Sequence, residues 1–285
     1  MKRALRFLYS SQAGIWVYEH VRRSVFSNGK YLVLAAMPKS GSTFLSHTLC
    51  ALTGYRHYYL ACAYDNVEQE IYLPRVIDGF GSGRVVQQHF KANRPNLDVL
   101  NRFDIKPIVM VRNIFDLVAS IRDHLLNERL DNLPAVYTTE EFLSLSPSRQ
   151  LDFVIDMVVP WYITYYVSWA QAEKEKHIRF LWVVYDELVA DWGAGVRRVL
   201  DFLGMEKSDS AIARAIEITR AKPKEQTRLN VGVPGRASTL LSSSQRERIV
   251  RLTEYYPNVD FTRIGIPGPF QENYVCCEAQ AHNSA

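Results

Sequence analysis

Cysteine is scarce in this 285-residue chain, and no metal-binding cysteine pattern is present. The four cysteines are Cys50, Cys62, Cys276 and Cys277; none forms a CxxC pair, and no histidine stands at metal-ligand spacing. The sequence therefore favours neither a zinc site nor a disulfide framework, and we expect the functional site to hold no metal. Reduced cysteines are typical of the cytoplasm, which is the expected location.

Long apolar runs are also missing. The longest, Tyr31–Met37, is far shorter than the ~20 residues needed to span a bilayer, so we expect no transmembrane anchor. Ser10, Ser11 and Gln12 interrupt the basic start of the chain before its apolar part reaches the length found in signal peptides. We therefore interpret the start as mature sequence.

Glycine and proline are few, at 14 and 12 residues, and 47% of the chain is hydrophobic. This composition excludes disordered and collagen-like proteins and is ordinary for a globular domain. The net charge of +4 and the pI near 8.8 suit an anionic ligand. Because that pI is below the ~9 expected of a dedicated nucleic-acid-binding domain, we expect no nucleic-acid partner.

Apolar runs of strand length alternate with helical patterns along the chain. Tyr31–Met37 is a continuous apolar run of the kind buried on both faces of a parallel sheet, and three later runs resemble it: 84–88, 107–111 and 178–185. Helical patterns follow at 43–52, 115–126, 139–176, 193–203, 208–219 and 242–254. This alternation predicts an α/β fold with a mostly parallel sheet flanked by helices, whose ligand sites lie at the carboxyl ends of the strands.

The chain is predicted to form a single domain over residues 1–285. A loose helical periodicity predicts an N-terminal helix at about 3–26, the core extends over about 30–265, and the tail at about 267–285 is expected to be irregular. The segment 130–149 contains proline and serine and is interpreted as a surface insertion.

The first predicted strand leads directly into Pro38-Lys-Ser-Gly-Ser-Thr-Phe44, after which a helix begins. A strand, a tight loop with glycine and hydroxyl residues, and a helix N-terminus present backbone N–H groups to an anion, which indicates a phosphate cradle. The Walker A pattern of ATPases is absent, because Lys39 precedes Gly41 instead of following a glycine. A capped strand–helix turn without a ligand is the alternative interpretation at this point.

A second predicted strand ends in a cation. Arg112 follows the strand at 107–111, and Ser120 lies two turns into the next helix, so both side chains can converge on one phosphate. Taken alone, Arg112 is more typical of a salt bridge. Beside the first loop, phosphate binding is the favoured interpretation.

These two motifs resemble the 5′-phosphosulfate loop and the 3′-phosphate motif of sulfotransferases that use 3′-phosphoadenosine 5′-phosphosulfate (PAPS). Two further segments resemble the family in the order it requires: Gln87-Gln-His-Phe90, like the segment with the catalytic histidine, and Tyr185-Asp-Glu-Leu188, like the segment whose tyrosine lies near the adenine. The resemblance covers roughly residues 30 to 240. It implies a P-loop nucleotide-transferase-like sulfotransferase fold with PAPS as the sulfate donor.

The resemblance also implies a role for each matching residue. Lys39 would contact the phosphosulfate and stabilise charge on the leaving group, and His89 would be the general base that takes the acceptor proton, a task that suits an imidazole near neutral pH. The remaining matches would hold the nucleotide: Ser40, Gly41, Ser42 and Thr43 at the 5′-phosphate, Phe44 and Tyr185 at the adenine, and Arg112 and Ser120 at the 3′-phosphate.

The chain departs from the family pattern beside the predicted base. Gln87 stands where the family often has a lysine two residues before the catalytic histidine, and Lys91 is a candidate substitute for that charge. Some family members that act on sugars use a carboxylate as base, which makes Glu68 or Glu70 the alternative, although surface charge is the more ordinary interpretation of both.

A second departure lies in the C-terminal motif of the family. The segment Asn230–Arg236 keeps the glycines of that motif but lacks its Arg-Lys pair and its tryptophan. Arg228 or Arg236 is therefore expected to complete the 3′-phosphate site.

The sequence thus predicts a PAPS-dependent sulfotransferase that moves a sulfuryl group in line to a hydroxyl or amine of a small-molecule, lipid or carbohydrate acceptor, without a metal. The aromatic stretches 55–59 and 161–166 are candidate walls of an acceptor pocket, and core packing explains them equally well. Two alternatives stay open: a P-loop-type kinase or nucleotide hydrolase, which would require Mg-ATP, and a catalytically inactive module that binds an acidic partner.

Overall fold

The computed structural model describes residues 31–62, 69–127, 136–227, 235 and 237–268. The N-terminal helix predicted at 3–26, the candidate residues Glu68, Arg228 and Arg236, and the predicted tail from residue 269 lie outside the described residues.

Five parallel strands form one sheet in the described part of the chain, in the order β2-β3-β1-β4-β5. They are β1 (Tyr31–Ala36), β2 (Arg56–Tyr58), β3 (Arg84–Gln88), β4 (Ile108–Val111) and β5 (Leu181–Val184). β1 is central, since Leu34 pairs with Gln87 of β3 on one side and with Ile108 of β4 on the other. Because the strands are parallel, all their carboxyl ends lie at one edge of the sheet.

Helices connect the strands and cover both faces of the sheet. In the described residues they are α1 (Ser42–Thr53), α2 (Leu73–Gly79), α3 (Arg94–Arg102), α4 (Ile114–Asn127), α5 (Glu141–Ser144), α6 (Pro147–Met157), α7 (Val159–Lys174), α8 (Tyr185–Ala190), α9 (Trp192–Leu203), α10 (Asp209–Arg220), α11 (Lys224–Thr227), α12 (Ala237–Leu240) and α13 (Ser243–Arg251), followed by a 3₁₀ turn at Thr262–Ile264.

The residues of β1 alternate between two apolar layers. Tyr31, Val33 and Ala35 pack in the layer that contains the buried faces of α4 and α7. The intervening Leu32, Leu34 and Ala36 pack in the opposite layer with α1, α9 and α10. A strand whose residues are all buried must be apolar throughout, which explains the continuous run in the sequence.

The four strands predicted from the sequence are confirmed, with ends that differ by up to three residues. β2 was missed because Arg56–Tyr58 is only three residues long and its side chains are exposed or half-buried, so it carries no apolar run. None of the helices in the described ranges is long and apolar enough to cross a membrane.

One prediction for the middle of the chain is wrong, and a second meets one buried contact. The stretch 139–176 is not one helix but three. Ser146 caps α6 at the backbone N–H of Arg149 and Pro147 occupies its first turn, while α6 ends at Met157 and α7 begins at Val159 with a proline in its own first turn. In its described part, 136–149, the segment predicted as a surface insertion is mostly exposed, but Phe142 of α5 is buried and packs against Phe153, with 5.2 Å between the ring centroids.

Candidate active site

The phosphate loop predicted from the sequence lies at the carboxyl end of β1, between that strand and the first turn of α1. The hydroxyl of Ser40 donates a 2.6 Å hydrogen bond to the carbonyl of Met37, which closes the loop on itself. Gly41 is the N-cap of α1 and provides no side-chain hydrogen bond, so the N–H groups of the first helical turn point out of the helix without a side-chain cap. This geometry suits an anion at the helix N-terminus.

Glycine is required at the helix start. Gly41 has φ +80°, and a Cβ atom there would lie 2.9 Å from the ring of Tyr185, which is closer than packed atoms approach. Lys39 also has a positive φ, of 68°, although it is not a glycine. The loop is therefore held in a backbone conformation that ordinary sequences avoid, directly against the tyrosine at the end of β5.

Arg112, at the end of β4, reaches across to the phosphate loop. Its Nη1 donates a 3.0 Å hydrogen bond to the carbonyl of Lys39, and its guanidinium lies 4.3 Å from the centre of the Tyr185 ring. The side chain is buried. The structure thus brings together Lys39, Arg112 and Tyr185, which the sequence had placed at the ends of three different strands.

The charges around Arg112 act on two neighbouring groups. Burial raises the pKa of the Asp186 carboxyl, the Arg112 guanidinium opposes that effect, and Asp116 adds to it. Burial likewise raises the pKa of Tyr185, against the effect of Arg112. Tyr185 is therefore a neutral phenol at neutral pH and offers a ring face rather than a charge.

Ser120 is buried on α4, two turns after Arg112 as predicted. The helix start is fixed by Asn113, whose side-chain oxygen accepts hydrogen bonds from the N–H groups of Phe115 and Asp116, at 3.0 and 3.3 Å. An N-capping asparagine directly after Arg112 is a signal that the sequence contained.

Asp116 is a residue that the sequence reasoning missed. Its carboxylate is buried and accepts hydrogen bonds from the backbone N–H groups of Gly235, at 2.5 Å, and Ala237, at 2.8 Å. These two residues flank Arg236 in the sequence. Asp116, on the helix that carries Ser120, therefore holds the two described neighbours of position 236, which the sequence predicts to bind the 3′-phosphate.

Phe44 is buried on α1 and packs against Trp192, with 4.2 Å between ring centroids. The structure gives its ring a packing contact at the helix start, and its contact with adenine stays a prediction. The Ser42 side chain is buried and that of Thr43 is half-buried on the same turn.

His89 lies one residue beyond β3, next to the end of β1. Its Nδ1 donates a 2.7 Å hydrogen bond to the carbonyl of Ala36, and its backbone N–H donates to the side-chain oxygen of Gln69, at 2.8 Å. Since a carbonyl can only accept, the proton of the neutral ring is on Nδ1, and Nε2 carries the lone pair. That tautomer is the one a general base needs.

Glu70 is engaged elsewhere. Its carboxylate accepts hydrogen bonds from the side-chain amides of Asn93, at 2.9 Å, and Asn96, at 2.5 Å, both at the start of α3. The structure thus gives Glu70 a structural role near the His89 segment. Among the described residues, no group of three or more His, Cys, Asp or Glu side chains is arranged to hold a metal ion.

Comparison with known proteins agrees with this geometry. The family model for the sulfotransferase domain matches residues 30–231, which is most of the chain. The chain belongs to this family. The match includes the phosphate loop, the His89 segment and the Arg112–Ser120 motif, and the fold class predicted from the sequence is confirmed.

Individual relatives are distant. Sulfotransferase 1E1 of Bos taurus is 25% identical over 206 residues, a match that spans 66% of this chain and 63% of the bovine protein. The crystal structure of mouse sulfotransferase SULT7A1, complexed with PAP, has a TM-score of 0.60 at 19% identity and covers 84% of this chain and 88% of the mouse chain. Retinol dehydratase in a complex with retinol and PAP has a TM-score of 0.50 at 16% identity, with 85% of each chain covered. At these identities the structural likeness shows the fold.

Proposed function

We propose that this sulfotransferase-family protein transfers a sulfuryl group from PAPS to a hydroxyl or amine of an acceptor. The observation that carries the proposal is the meeting of the phosphate loop with Arg112 and Tyr185 at the carboxyl edge of the sheet. A glycine-capped helix start and a buried arginine hydrogen-bonded to the loop supply the positive potential that a doubly phosphorylated nucleotide needs.

The donor would be bound by groups on three strand ends. Ser40 to Thr43 contribute backbone N–H groups and hydroxyls at the 5′-phosphate, and the Lys39 ammonium stabilises the charge that develops on the leaving oxygen. Arg112 and Ser120 bind the 3′-phosphate together with Arg236, whose neighbours Gly235 and Ala237 are held by Asp116. Phe44 and Tyr185 contact the adenine ring.

The acceptor side would be organised by His89. Its Nε2 takes the proton of the acceptor hydroxyl as the new bond from that oxygen to sulfur forms and the bond from sulfur to the 5′-phosphate oxygen breaks. The products are the sulfated acceptor and 3′-phosphoadenosine 5′-phosphate (PAP), and the proton remains on the imidazolium. Since Lys39 and backbone donors stabilise the leaving phosphate, we propose that the reaction needs no metal.

The relatives are consistent with this proposal. Mouse sulfotransferase SULT7A1 was crystallised with PAP, the product left by such a transfer. Retinol dehydratase was crystallised with PAP and retinol, a small molecule with a hydroxyl group. We further propose that the chain acts as a single domain in the cytoplasm, with a small-molecule, lipid or carbohydrate acceptor.

The proposal is tested by following ³⁵S from labelled PAPS into a panel of phenols, alcohols, amines and sugars, in the presence of EDTA. We expect one sulfated product per PAP formed, and a loss of turnover of about 10²–10⁴-fold in His89→Ala with PAP affinity unchanged. His89→Asn is the matched variant, because its side-chain amide can donate to the Ala36 carbonyl but cannot act as a base.

The outcomes separate the alternatives. Near-normal turnover in both His89 variants would show that the base lies elsewhere. Transfer from Mg-ATP but not from PAPS would indicate a kinase, and binding of PAP without transfer to any acceptor would indicate an inactive binding module.

A further inference from the structure

Gln87, His89 and Lys91 lie on one side of an extended segment. All three are half-buried, whereas the residues that alternate with them, Gln88, Phe90 and Ala92, are buried. A period of two is the signature of side chains that point to the same side, with about 6.6 Å between alternate residues. Lys91 is therefore the neighbour of His89 on the side of the segment that leads away from β3.

The segment is held rigidly at each residue. Besides the bond from the N–H of His89 to Gln69, the carbonyl of Phe90 accepts from Trp169 Nε1 at 3.3 Å, the carbonyl of Lys91 accepts from Asn96 Nδ2 at 2.9 Å, and the N–H of Ala92 donates to Ser168 Oγ at 3.0 Å. Because side chains from other elements satisfy these backbone groups, the spacing of His89 and Lys91 is fixed by the fold.

The Lys91 ammonium has an aromatic neighbour that is tied to the same strand end as His89. Its Nζ lies over the indole of Trp161, 5.5 Å from the ring centre, and that indole stacks on Tyr165 at 5.4 Å. The hydroxyl of Tyr165 donates a 2.7 Å hydrogen bond to the carbonyl of Ala35, next to the Ala36 carbonyl that orients His89. Two neighbouring carbonyls of β1 thus position both the predicted base and the aromatic pair beneath the lysine.

Within the described part of the chain, no carboxylate forms an ion pair with Lys91. Glu70, the nearby acidic residue, is engaged by the amides of Asn93 and Asn96. A half-buried ammonium is stabilised by a cation–π contact, but it still gains from an opposite charge in a partly desolvated site. The missing counter-ion is therefore a candidate part of a ligand.

We propose that Lys91 binds an anionic group of the acceptor, so that the acceptors of this protein are hydroxylated acids with the hydroxyl at His89 and a carboxylate, sulfate or phosphate at Lys91. This inference rests on the proposed function, because it takes His89 as the acceptor side of the site. A phenol that carries the anionic group on the same ring is the favoured acceptor. A hydroxyl and a carboxylate at opposite ends of one benzene ring have a separation of the same order as that between alternate residues of the segment.

The test uses matched acids and amides, first 4-hydroxybenzoate with 4-hydroxybenzamide and then 4-hydroxyphenylacetate with its amide. Calorimetry with saturating PAP measures their binding to the wild-type protein and to Lys91→Met, which keeps the alkyl stem and removes the charge. We expect each acid to bind at least about 10-fold tighter than its amide in the wild type, as for a charge-assisted bond. In Lys91→Met the ratio should fall to about one.

Two control variants separate charge from fold. Lys91→Arg should retain the preference for the acid. Lys174→Met removes the same charge from an exposed position at the far end of α7, about 20 Å along the helix from Trp161, and should leave the preference unchanged.

Absence of acid preference in the wild type, including no binding of either acid, would overturn the inference, and so would an acid preference that survives in Lys91→Met. An equal fall of kcat in Lys91→Met with acids and amides would also overturn it, because the cation would then act on the transferred sulfuryl group rather than on the acceptor. Failure of PAP itself to bind would count against the proposed function. A titration with PAP alone, done before the acids and amides are added, measures this.

Discussion

Single residues in this protein act mainly through bonds to the backbone of distant elements. His89 is oriented by Ala36, Arg112 is held by the carbonyl of Lys39, and Asp116 fixes Gly235 and Ala237. These contacts explain how one carboxyl edge can hold several functional side chains without relying on flexible loops alone. A separate cluster of titratable groups, which the proposed reaction does not use, has a different effect.

That cluster joins α1, β2 and the end of α10. His57 Nε2 lies 3.2 Å from His47 Nδ1, Lys222 Nζ lies 3.1 Å from the same nitrogen, and His47 Nε2 lies 3.1 Å from the carbonyl of Gln226. Loss of solvent around the ring, together with His47 and Lys222, lowers the pKa of His57 to about 4. Loss of solvent and the charge of Lys222 also lower the pKa of His47.

We predict that this cluster makes the protein less stable in mild acid. The pKa of His57 is lower in the folded protein than in the unfolded chain, so in mild acid only the unfolded chain takes up the proton. The free energy of unfolding is therefore unaffected by His57 above about pH 6.5 and decreases as the pH falls from 6.5 toward 4. Urea unfolding at pH 7 and pH 5 should therefore show a smaller acid-induced loss in His57→Gln than in the wild type. Equal losses in the two proteins would contradict the prediction.

At the scale of elements, the sheet carries the site because its central strand is followed at once by the phosphate loop. Gly41 at the start of α1 and Gly54 at its end are a matched pair of glycines for testing whether the backbone of the phosphate loop is needed for binding. Both have a positive φ, of 80° at Gly41 and 73° at Gly54, but a Cβ at Gly41 would meet the Tyr185 ring at 2.9 Å, whereas a Cβ at Gly54 would have nothing within 4 Å.

We predict that Gly54→Ala loses about 1–2 kcal/mol of unfolding free energy, because alanine is strained in the left-handed region, and that Gly41→Ala loses more, because its Cβ also meets the Tyr185 ring. Only Gly41→Ala should also weaken PAP binding, by more than about 10-fold, since the loop must move away from Tyr185. Urea unfolding and calorimetry on both variants measure the two effects. The same PAP affinity in both variants would mean that the loop geometry is not needed for binding.

How much of each element could be predicted depended on how local its signal was. The continuous apolar runs predict that β1 and β4 are buried strands of a parallel sheet, because both faces of such strands are covered. β2 had no such run and was missed. Beyond residue 139 the helical periodicity continues through Ser146 and Pro147, so it does not show that the capping residue Ser146 begins a new helix there.

The contacts between functional residues depend on the fold of the whole molecule and are not contained in any local sequence pattern. Lys39, Arg112 and Tyr185 could be assigned to strand ends from the sequence, but their contacts follow from the strand order β1-β4-β5. The bond from Gly235 to Asp116 joins residues 119 positions apart, and the positions of Gln69 beside His89 and of Trp161 beside Lys91 likewise depend on packing between elements. Long-range bonds from side chains to the backbone leave no periodic trace in a sequence.

The nucleotide site depends on the whole molecule, and calorimetric titration with PAP, 5′-AMP and Mg-ATP measures its specificity. We predict that PAP binds most tightly and that Arg112→Ala weakens its binding by about 1.5–3 kcal/mol, the contribution of a charge-assisted hydrogen bond. The same variant should weaken 5′-AMP binding less than PAP binding, because 5′-AMP lacks the 3′-phosphate. Arg94→Ala, which removes an equal charge from an exposed position on α3, should bind PAP like the wild type. Equal affinity for PAP and 5′-AMP, or tighter binding of Mg-ATP, would contradict a PAPS site at this edge of the sheet.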